Sequence, residues 1–166
     1  ANYVTRGVRV NTILVLGDYL KKNTDKQMSL LQAAAQLNDE KIKYLVKPHP
    51  NCPVFVEDYP ELDLEVTNEA IPALLNRCSI AYTSSVTSAA VDVHCAGLTV
   101  LTVIDPKGLN LSPLRGRGSE SVTFVSTPEE FVTALNRIGK TGYIESQSTD
   151  YFYVDYELPR WKSFFN

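Results

Sequence analysis

The chain has 166 residues, with 16 Lys+Arg against 19 Asp+Glu and a net charge of −3. Its 44% hydrophobic and 21% charged residues are ordinary values for a globular domain and exclude a disordered, fibrous or disulfide-stapled chain. The slightly acidic balance argues against nucleic acid as a partner. No apolar run approaches the ~20 residues that cross a bilayer, so we expect no transmembrane segment.

The cysteines and the N-terminus indicate where the protein resides. Cys52, Cys78 and Cys95 have no CxxC or other metal-ligand spacing, so we expect free thiols, no metal site and a reducing, cytoplasmic location. Peripheral attachment to the inner face of the membrane stays open. The sequence lacks a signal-peptide pattern and begins with Ala1 rather than Met. We therefore expect a piece of a longer polypeptide.

Short β-branched runs alternate with amphipathic helical stretches along the chain. The first half predicts a strand at 12–16, a helix at 25–37, strands at 42–46 and 63–67, and a helix near Pro72. The second half predicts a strand at 79–82, a helix at 86–95, strands at 99–104 and 122–125, and a last helix. Thr127, Pro128 and Glu130 form the expected start of that last helix, with Thr127 as its cap.

Apolar strands separated by helices predict an α/β fold. We expect a Rossmann-like doubly wound parallel sheet of about six strands with helices on both faces, plus a C-terminal helical arm. Residues 1–140 would form this nucleotide-binding domain. Residues 141–166 would form a polar linker followed by an aromatic arm or helix.

The first candidate site follows the second strand, where Lys47 and His49 lie in a Lys-Pro-His-Pro motif. In open parallel sheets, ligands bind outside the carboxyl ends of the strands. The flanking prolines restrict the backbone around His49, whose imidazole could donate to a phosphate beside the charge of Lys47. The alternative is a proline-rich turn in which His49 only ends a strand.

The second candidate is the hydroxyl-rich stretch after the fourth strand. Ser84 and Ser85 are the expected phosphate contacts, with Thr87 and Ser88 in the first turn of the following helix. Free amide groups and the helix dipole favour anions at such a position. The alternative is simple helix capping, for which serine and threonine are common.

Weaker candidates follow the first and fifth strands. Gly17 and Asp18 end the first strand, and Asp18 could either cap the next element or face a ligand. Arg115 and Arg117 lie among glycines after the fifth strand and could clamp a phosphate or a sugar carboxylate. A surface loop is the alternative there. His94 lies within a helix and is expected to be structural. Neither GxGxxG nor a Walker A motif is present.

The order of these motifs resembles the C-terminal half of a GT-B glycosyltransferase. A strand with KPHP is followed by a strand with YTSS and a helix, then by a further strand and a TPEEF helix. Bacterial sialyl- and polysialyltransferases and related surface-polysaccharide enzymes are the most similar. CDP-glycerol glycerophosphotransferases are similar in the same two places. In these families the two motifs hold the donor phosphate, which the resemblance carries over to His49, Ser84 and Ser85.

The resemblance implies the donor-binding half of an inverting glycosyltransferase, inactive alone. Its substrate would be a nucleotide sugar, with CMP as the nucleotide, and no cofactor or metal would be needed. His49 would be the catalytic residue that stabilises the departing phosphate. The missing partner would be an N-terminal Rossmann-like domain of the same protein. The alternatives are a CDP-glycerol glycerophosphotransferase-like or UDP-sugar 2-epimerase-like half-domain, or a non-catalytic Rossmann-like binding module.

Overall fold

The structure is a computed structural model that describes residues 11–116 and 120–141. Six strands alternate with four α-helices. The strands are β1 (Thr12–Leu16), β2 (Lys43–Lys47), β3 (Asp63–Val66), β4 (Ile80–Thr83), β5 (Thr99–Val103) and β6 (Val122–Val125). The helices are α1 (Lys21–Leu37), α2 (Ile71–Leu74), α3 (Ala89–Cys95) and α4 (Pro128–Thr141). Short 3₁₀ turns occupy Val56–Asp58 and Leu75–Arg77.

The six strands form one parallel sheet in the order β3-β2-β1-β4-β5-β6. The chain therefore adds β2 and β3 on one side of β1, and then crosses back to add β4, β5 and β6 on the other side of β1. This is the strand order of a Rossmann-like fold, and it places the topological switch point between β1 and β4. The predicted fold class is confirmed.

The two faces of the sheet bury alternate side chains. Ile13 and Tyr82 point to the face covered by α1 and α4, where Met28 and Phe131 complete the core. Leu14, Leu45, Ala81 and Val100 point to the opposite face, together with α3 side chains such as Val93. Apolar groups on both faces explain why the central strands read as nearly continuous hydrophobic runs.

The helix boundaries differ from the expectation in two places. Helix α1 begins at Lys21 rather than at residue 25, since the turn that starts it is held by Asp18 and Thr24 rather than by a capping side chain at Leu20. Helix α3 begins at Ala89 rather than at residue 86. Thr87 and Ser88 are expected in its first turn, but both precede the helix, with Ser88 at the N-cap position, and Ser84 and Ser85 lie in the turn before them. The strand boundaries agree to within one residue.

Helix α4 begins as its sequence predicts. The Glu130 amide donates to the Thr127 hydroxyl at 3.2 Å, which confirms Thr127 as the cap. The Glu130 carboxylate accepts from the Ser126 amide at 2.6 Å and from the Ser126 hydroxyl at 2.8 Å. These bonds lower the pKa of Glu130. The reciprocal arm of the capping box thus reaches one residue further back than the usual pattern.

Several predictions lie outside the described residues. These are Arg117 and the linker and aromatic arm from residue 142 onward. Within the described ranges, no helix combines the length and the apolar character that a membrane span requires.

Candidate functional site

The candidate site lies at the carboxyl ends of three neighbouring strands. Leu16, the last residue of β1, pairs with Lys47 of β2 on one side and with Thr83 of β4 on the other. The three strands therefore end at the same level. Since adjacent strands lie ~4.8 Å apart, the residues after β2 and β4 flank those after β1 at a separation of roughly 10 Å. His49 and Ser84 thus lie on one edge of the sheet, as expected.

Gly17 lets the loop after β2 approach the end of β1. A Cβ atom on Gly17 would lie 3.1 Å from the His49 amide nitrogen and 3.2 Å from the Pro48 Cα. The Gly17 amide donates to the Lys47 carbonyl at 3.0 Å and continues the β1–β2 pairing by one residue. The close contact is with backbone atoms, so a larger residue at position 17 would require the loop after β2 to shift. It brings the Lys-Pro-His-Pro turn against the switch point.

The orientation of His49 is fixed by its own turn. Its Nδ1 accepts a hydrogen bond from the Asn51 amide at 3.2 Å, and its carbonyl accepts from the Cys52 amide at 2.8 Å. The Tyr19 ring meets the imidazole edge to face, with centroids 6.3 Å apart. Because Nδ1 is an acceptor, the proton of the neutral ring lies on Nε2. His49 therefore offers one N–H donor from a partly exposed side chain.

Asp18 and Ser84 join the ends of β1 and β4. The Asp18 carboxylate is 1% exposed and accepts from the Leu20 amide at 2.8 Å, from the Asn23 side chain at 3.2 Å and from the Ser84 hydroxyl. Of the two roles considered for Asp18, the structure has it securing the turn into α1. These three donors stabilise the buried carboxylate, which points inward and away from solvent.

The Ser84 hydroxyl is already engaged in this arrangement. Ser84 is 1% exposed, and its only hydroxyl proton goes to Asp18. In this state it has lone pairs but no proton to offer, whereas a phosphate oxygen needs a donor. Ser84 therefore shapes the turn after β4, and direct phosphate contact by Ser84 stays a prediction. Ser85 and Thr87 are partly exposed and Ser88 is exposed. No side-chain cap bonds α3.

Buried polar side chains of α1 and β4 form hydrogen bonds next to the candidate site. The Thr24 hydroxyl bonds both the amide and the carbonyl of Asp18, at 3.2 and 3.1 Å. The side-chain amide of Gln27 donates to the main-chain carbonyls of Leu16 and Tyr82, at 3.1 and 3.2 Å, and so joins β1 to β4. The Tyr82 hydroxyl returns a bond to the Gln27 carbonyl at 3.2 Å. Helix α1 is thereby fastened to both strands at the switch point.

In the described part of the loop after β5, Asp105 forms its contacts within the loop and with α1. Asp105 accepts from the Lys107 amide at 3.0 Å and lies 3.7 Å from the Lys26 ammonium group. The Arg115 side chain is exposed beside Gly116, which has a φ of 75°. Nothing in the described residues brings Arg115 to His49 or Ser84. Its role toward a ligand stays a prediction.

The remaining titratable groups are structural or scattered. His94 is 1% exposed in α3, and burial lowers its pKa. The three cysteines are free thiols, and burial raises the pKa of Cys78 to about 11. Within residues 11–116 and 120–141, no group of three or more potential metal-ligating side chains lies together.

Several residues of this centre were missed by the sequence reasoning. Thr24 and Gln27 lie in what reads as an ordinary helix, and Asn51 acts through its main-chain amide. For Thr24 and Gln27 a signal did exist, since both are polar residues on the helix face that also carries Met28 and Leu31. Polar groups on a buried face must find partners. For Asn51 the sequence carries no signal.

Two solved structures of glycosyltransferases have a fold similar to that of this chain. One similar structure is the catalytic domain of cholesterol-alpha-glucosyltransferase from Helicobacter pylori. It has a TM-score of 0.54 and 17% identity, over 76% of this chain and 85% of that one. Another is the glycotransferase of kitacinnamycin, with a TM-score of 0.52 and 15% identity. That match covers 86% of this chain and 38% of the other.

The search with protein-family models and the search of curated proteins gave no match. At these identities the structural likeness establishes the Rossmann-like fold alone. It also shows that glycosyltransferases contain a unit of this shape. The 38% coverage means that the chain spans well under half of the kitacinnamycin glycotransferase.

Proposed function

We propose that this chain is the donor-binding half of a two-domain GT-B glycosyltransferase that uses a nucleotide sugar. The observation that carries the proposal is the level ending of β2, β1 and β4, which brings His49, Gly17 and the 84–88 turn to one edge. This edge is where Rossmann-like sheets hold nucleotide phosphates. The likeness to two glycosyltransferases supports the same class.

His49 is the proposed catalytic group. Its Nε2–H donates to the phosphate of the donor, and the hydrogen bond from the Asn51 amide keeps the ring in the tautomer that this requires. Negative charge grows on the leaving phosphate as the sugar bond breaks. A donor fixed in advance stabilises that charge in the transition state more than in the ground state.

The other residues proposed near the phosphate differ in their exposure to solvent. Lys47, Ser85 and Thr87 are partly exposed and have donors to offer. Ser84 and Asp18 hold the turn in place behind them. In this arrangement Ser84 acts as a positioning residue for the phosphate site.

The finer assignment is a CMP-linked sugar with sialyltransferase-like chemistry in surface-polysaccharide synthesis, and it rests on the motif resemblance. The reaction inverts the anomeric carbon and needs neither metal nor cofactor. A second Rossmann-like domain supplies the acceptor side and the acidic general base. Asp18 cannot take the place of this base, because its carboxylate is buried and bonded.

Nucleotide binding by the chain as it stands tests the proposal. We expect CMP or CDP at millimolar concentration to raise the melting temperature, and His49→Ala to abolish the rise. Asn51→Ala is the matched control, since it keeps the main-chain amide that bonds His49. A rise with UMP or UDP alone would replace the CMP assignment by the UDP-sugar alternative. No response to any pyrimidine nucleotide would contradict donor binding.

A further inference from the structure

Exposed hydrophobic side chains concentrate at one edge of the molecule. In the part of the chain that the structure describes, seven large hydrophobic residues are strongly exposed, including Leu109 at 84% and Leu111 at 65%. Six of them follow the carboxyl ends of strands, and we call these the carboxyl-edge patch: Tyr19, Leu20, Phe55, Val56, Leu109 and Leu111. The seventh, Leu37, ends α1 at the opposite edge. Such clustering marks an interaction surface.

The three loops of the patch surround the N-terminal half of α1. The Cys52 thiol donates to the Tyr19 carbonyl at 3.0 Å and joins the loop after β2 to the turn after β1. The Lys26 ammonium group donates to the Ile104 carbonyl at 3.3 Å and joins α1 to the loop after β5. A cavity of about 200 Å³ opens between Lys21 and Phe55. These two bonds hold the three loops that carry the six side chains beside α1, and the cavity lies between α1 and the loop after β2.

The chain itself carries a complementary segment. Residues 142–166 contain eight of the sixteen aromatic residues of the sequence, in 25 positions. Seven of these eight lie in 151–165, which reads YFYVDYELPRWKSFF. This density of aromatic side chains far exceeds that of the described domain and cannot be covered by the segment alone. An apolar surface is the partner that such a segment requires.

The connection is long enough to reach the patch. Helix α4 starts at the carboxyl edge after β6 and ends at Thr141, at the opposite edge. Its 14 residues correspond to about 21 Å at 1.5 Å per residue. The nine residues 142–150 can extend to about 30 Å, so residues 151–165 return to the carboxyl edge without strain.

We propose that the aromatic segment 151–165 docks on the carboxyl-edge patch of its own domain. Phe55, which lines the cavity, and the adjacent exposed Val56 are its apolar anchors. This inference does not depend on which nucleotide, if any, the site binds.

Trp161 makes the proposal directly measurable, because it is the single tryptophan of the chain. Selective excitation of Trp161 in the full chain should give blue-shifted emission and severalfold weaker acrylamide quenching than in a peptide of residues 142–166. Charging an apolar anchor costs upward of about 1.4 kcal/mol, a tenfold shift of the docking equilibrium. The variants Phe55→Asp and Val56→Asp should therefore move quenching toward the value of the peptide.

Leu37→Asp is the matched control, since Leu37 is equally exposed but lies at the other edge. It should leave Trp161 protected, and circular dichroism should show all three variants folded. Quenching of Trp161 equal to that of the peptide would overturn the proposal, as would equal effects of the three substitutions. Protection that disappears on dilution, together with a dimer in gel filtration, would instead make a second copy the occupant. Nucleotide-induced shifts are read separately, so failure of donor binding is distinguishable.

Discussion

The Ser84 hydroxyl donates to the Asp18 carboxylate and so joins two residues that are 66 positions apart. Each follows a different strand, β4 or β1, at the point where the strand order reverses. The bond satisfies a buried charge and fixes the spacing of two loops at once. This pair connects the stability of the domain to the shape of the candidate site.

Ser84→Ala should destabilise the domain. It removes one of three donors to a carboxylate that is 1% exposed, at a cost of about 1–3 kcal/mol. Urea unfolding measures the change. Ser85→Ala, at the partly exposed neighbouring position, is the control and should stay within about 0.5 kcal/mol. Equal losses in the two variants would show that the Ser84–Asp18 bond contributes no stability.

Two glycine substitutions should act in opposite directions. Gly17→Ala places a Cβ 3.1 Å from the His49 amide nitrogen, and backbone must move to admit it. We expect a loss of about 1–3 kcal/mol and a weakened response to nucleotide. Gly139→Ala lies in α4 with nothing within 4 Å of the new Cβ. It should stabilise by about 0.5–1 kcal/mol, since alanine favours helix.

Both glycine variants are measured by chemical unfolding, with the nucleotide response as the second readout for Gly17→Ala. A neutral Gly17→Ala would mean that the loop after β2 yields easily. The contact at Gly17 would then not be what holds the Lys-Pro-His-Pro turn against β1.

Gln27→Met should lower the free energy of unfolding although the two side chains are similar in size. The substitution keeps the volume but leaves the carbonyls of Leu16 and Tyr82 without the donors that the Gln27 side chain supplies at 3.1 and 3.2 Å. We expect about 2 kcal/mol or more, measured by thermal and urea unfolding. Gln36→Met, at an exposed position of the same helix, is the control. A neutral Gln27→Met would show that these carbonyls find other donors.

Glu65 should make stability depend on pH in the acid range. Hydrogen bonds from Lys43 and Arg77 lower the pKa of Glu65 from 4.5 to about 2. Because the folded pKa is the lower one, the unfolded chain binds more protons between these values. The contribution of Glu65 is therefore complete above pH 4.5 and is lost as the pH falls toward about 2.

Comparing the wild-type chain with Glu65→Gln by urea unfolding across that range isolates this contribution. The difference between the two chains should shrink as the pH falls, and added salt should reduce it at the higher pH. Arg77→Gln should raise the pKa of Glu65 in a carboxyl NMR titration. An unchanged titration would mean that the pair, 2.5 Å apart in the structure, does not persist in solution.

Much of the fold could be predicted from the sequence, because it depends on strong local patterns. Strands such as 99–104 combine β-branched residues with full burial, and Thr127-Pro128-Glu129-Glu130 marks a helix start with three independent signals. The start of α1 at Lys21 was not predicted, because hydrogen bonds of Asp18 with Leu20 and Thr24 hold it in place of a capping side chain at Leu20.

The candidate site, too, could be predicted from the sequence only in part. Its location follows from the general rule for parallel sheets, and Lys47, His49 and the 84–88 turn lie at the expected edge. The direction of the Ser84 side chain depends on a partner far away in the chain, whereas His49 is oriented by its own turn. Ser84 turns inward to Asp18, 66 residues distant, and no local pattern carries that information.

The pairing of β1 with β4 also affects when the candidate site forms during folding. The strands β1 and β4 are direct neighbours although the chain completes β2 and β3 between them, so their union is a contact of long sequence separation. Contacts of this kind require the closure of a large loop and slow the search for the native state. A nascent chain that has not yet reached Ser84 lacks one side of the candidate site, which forms only when β4 pairs with β1.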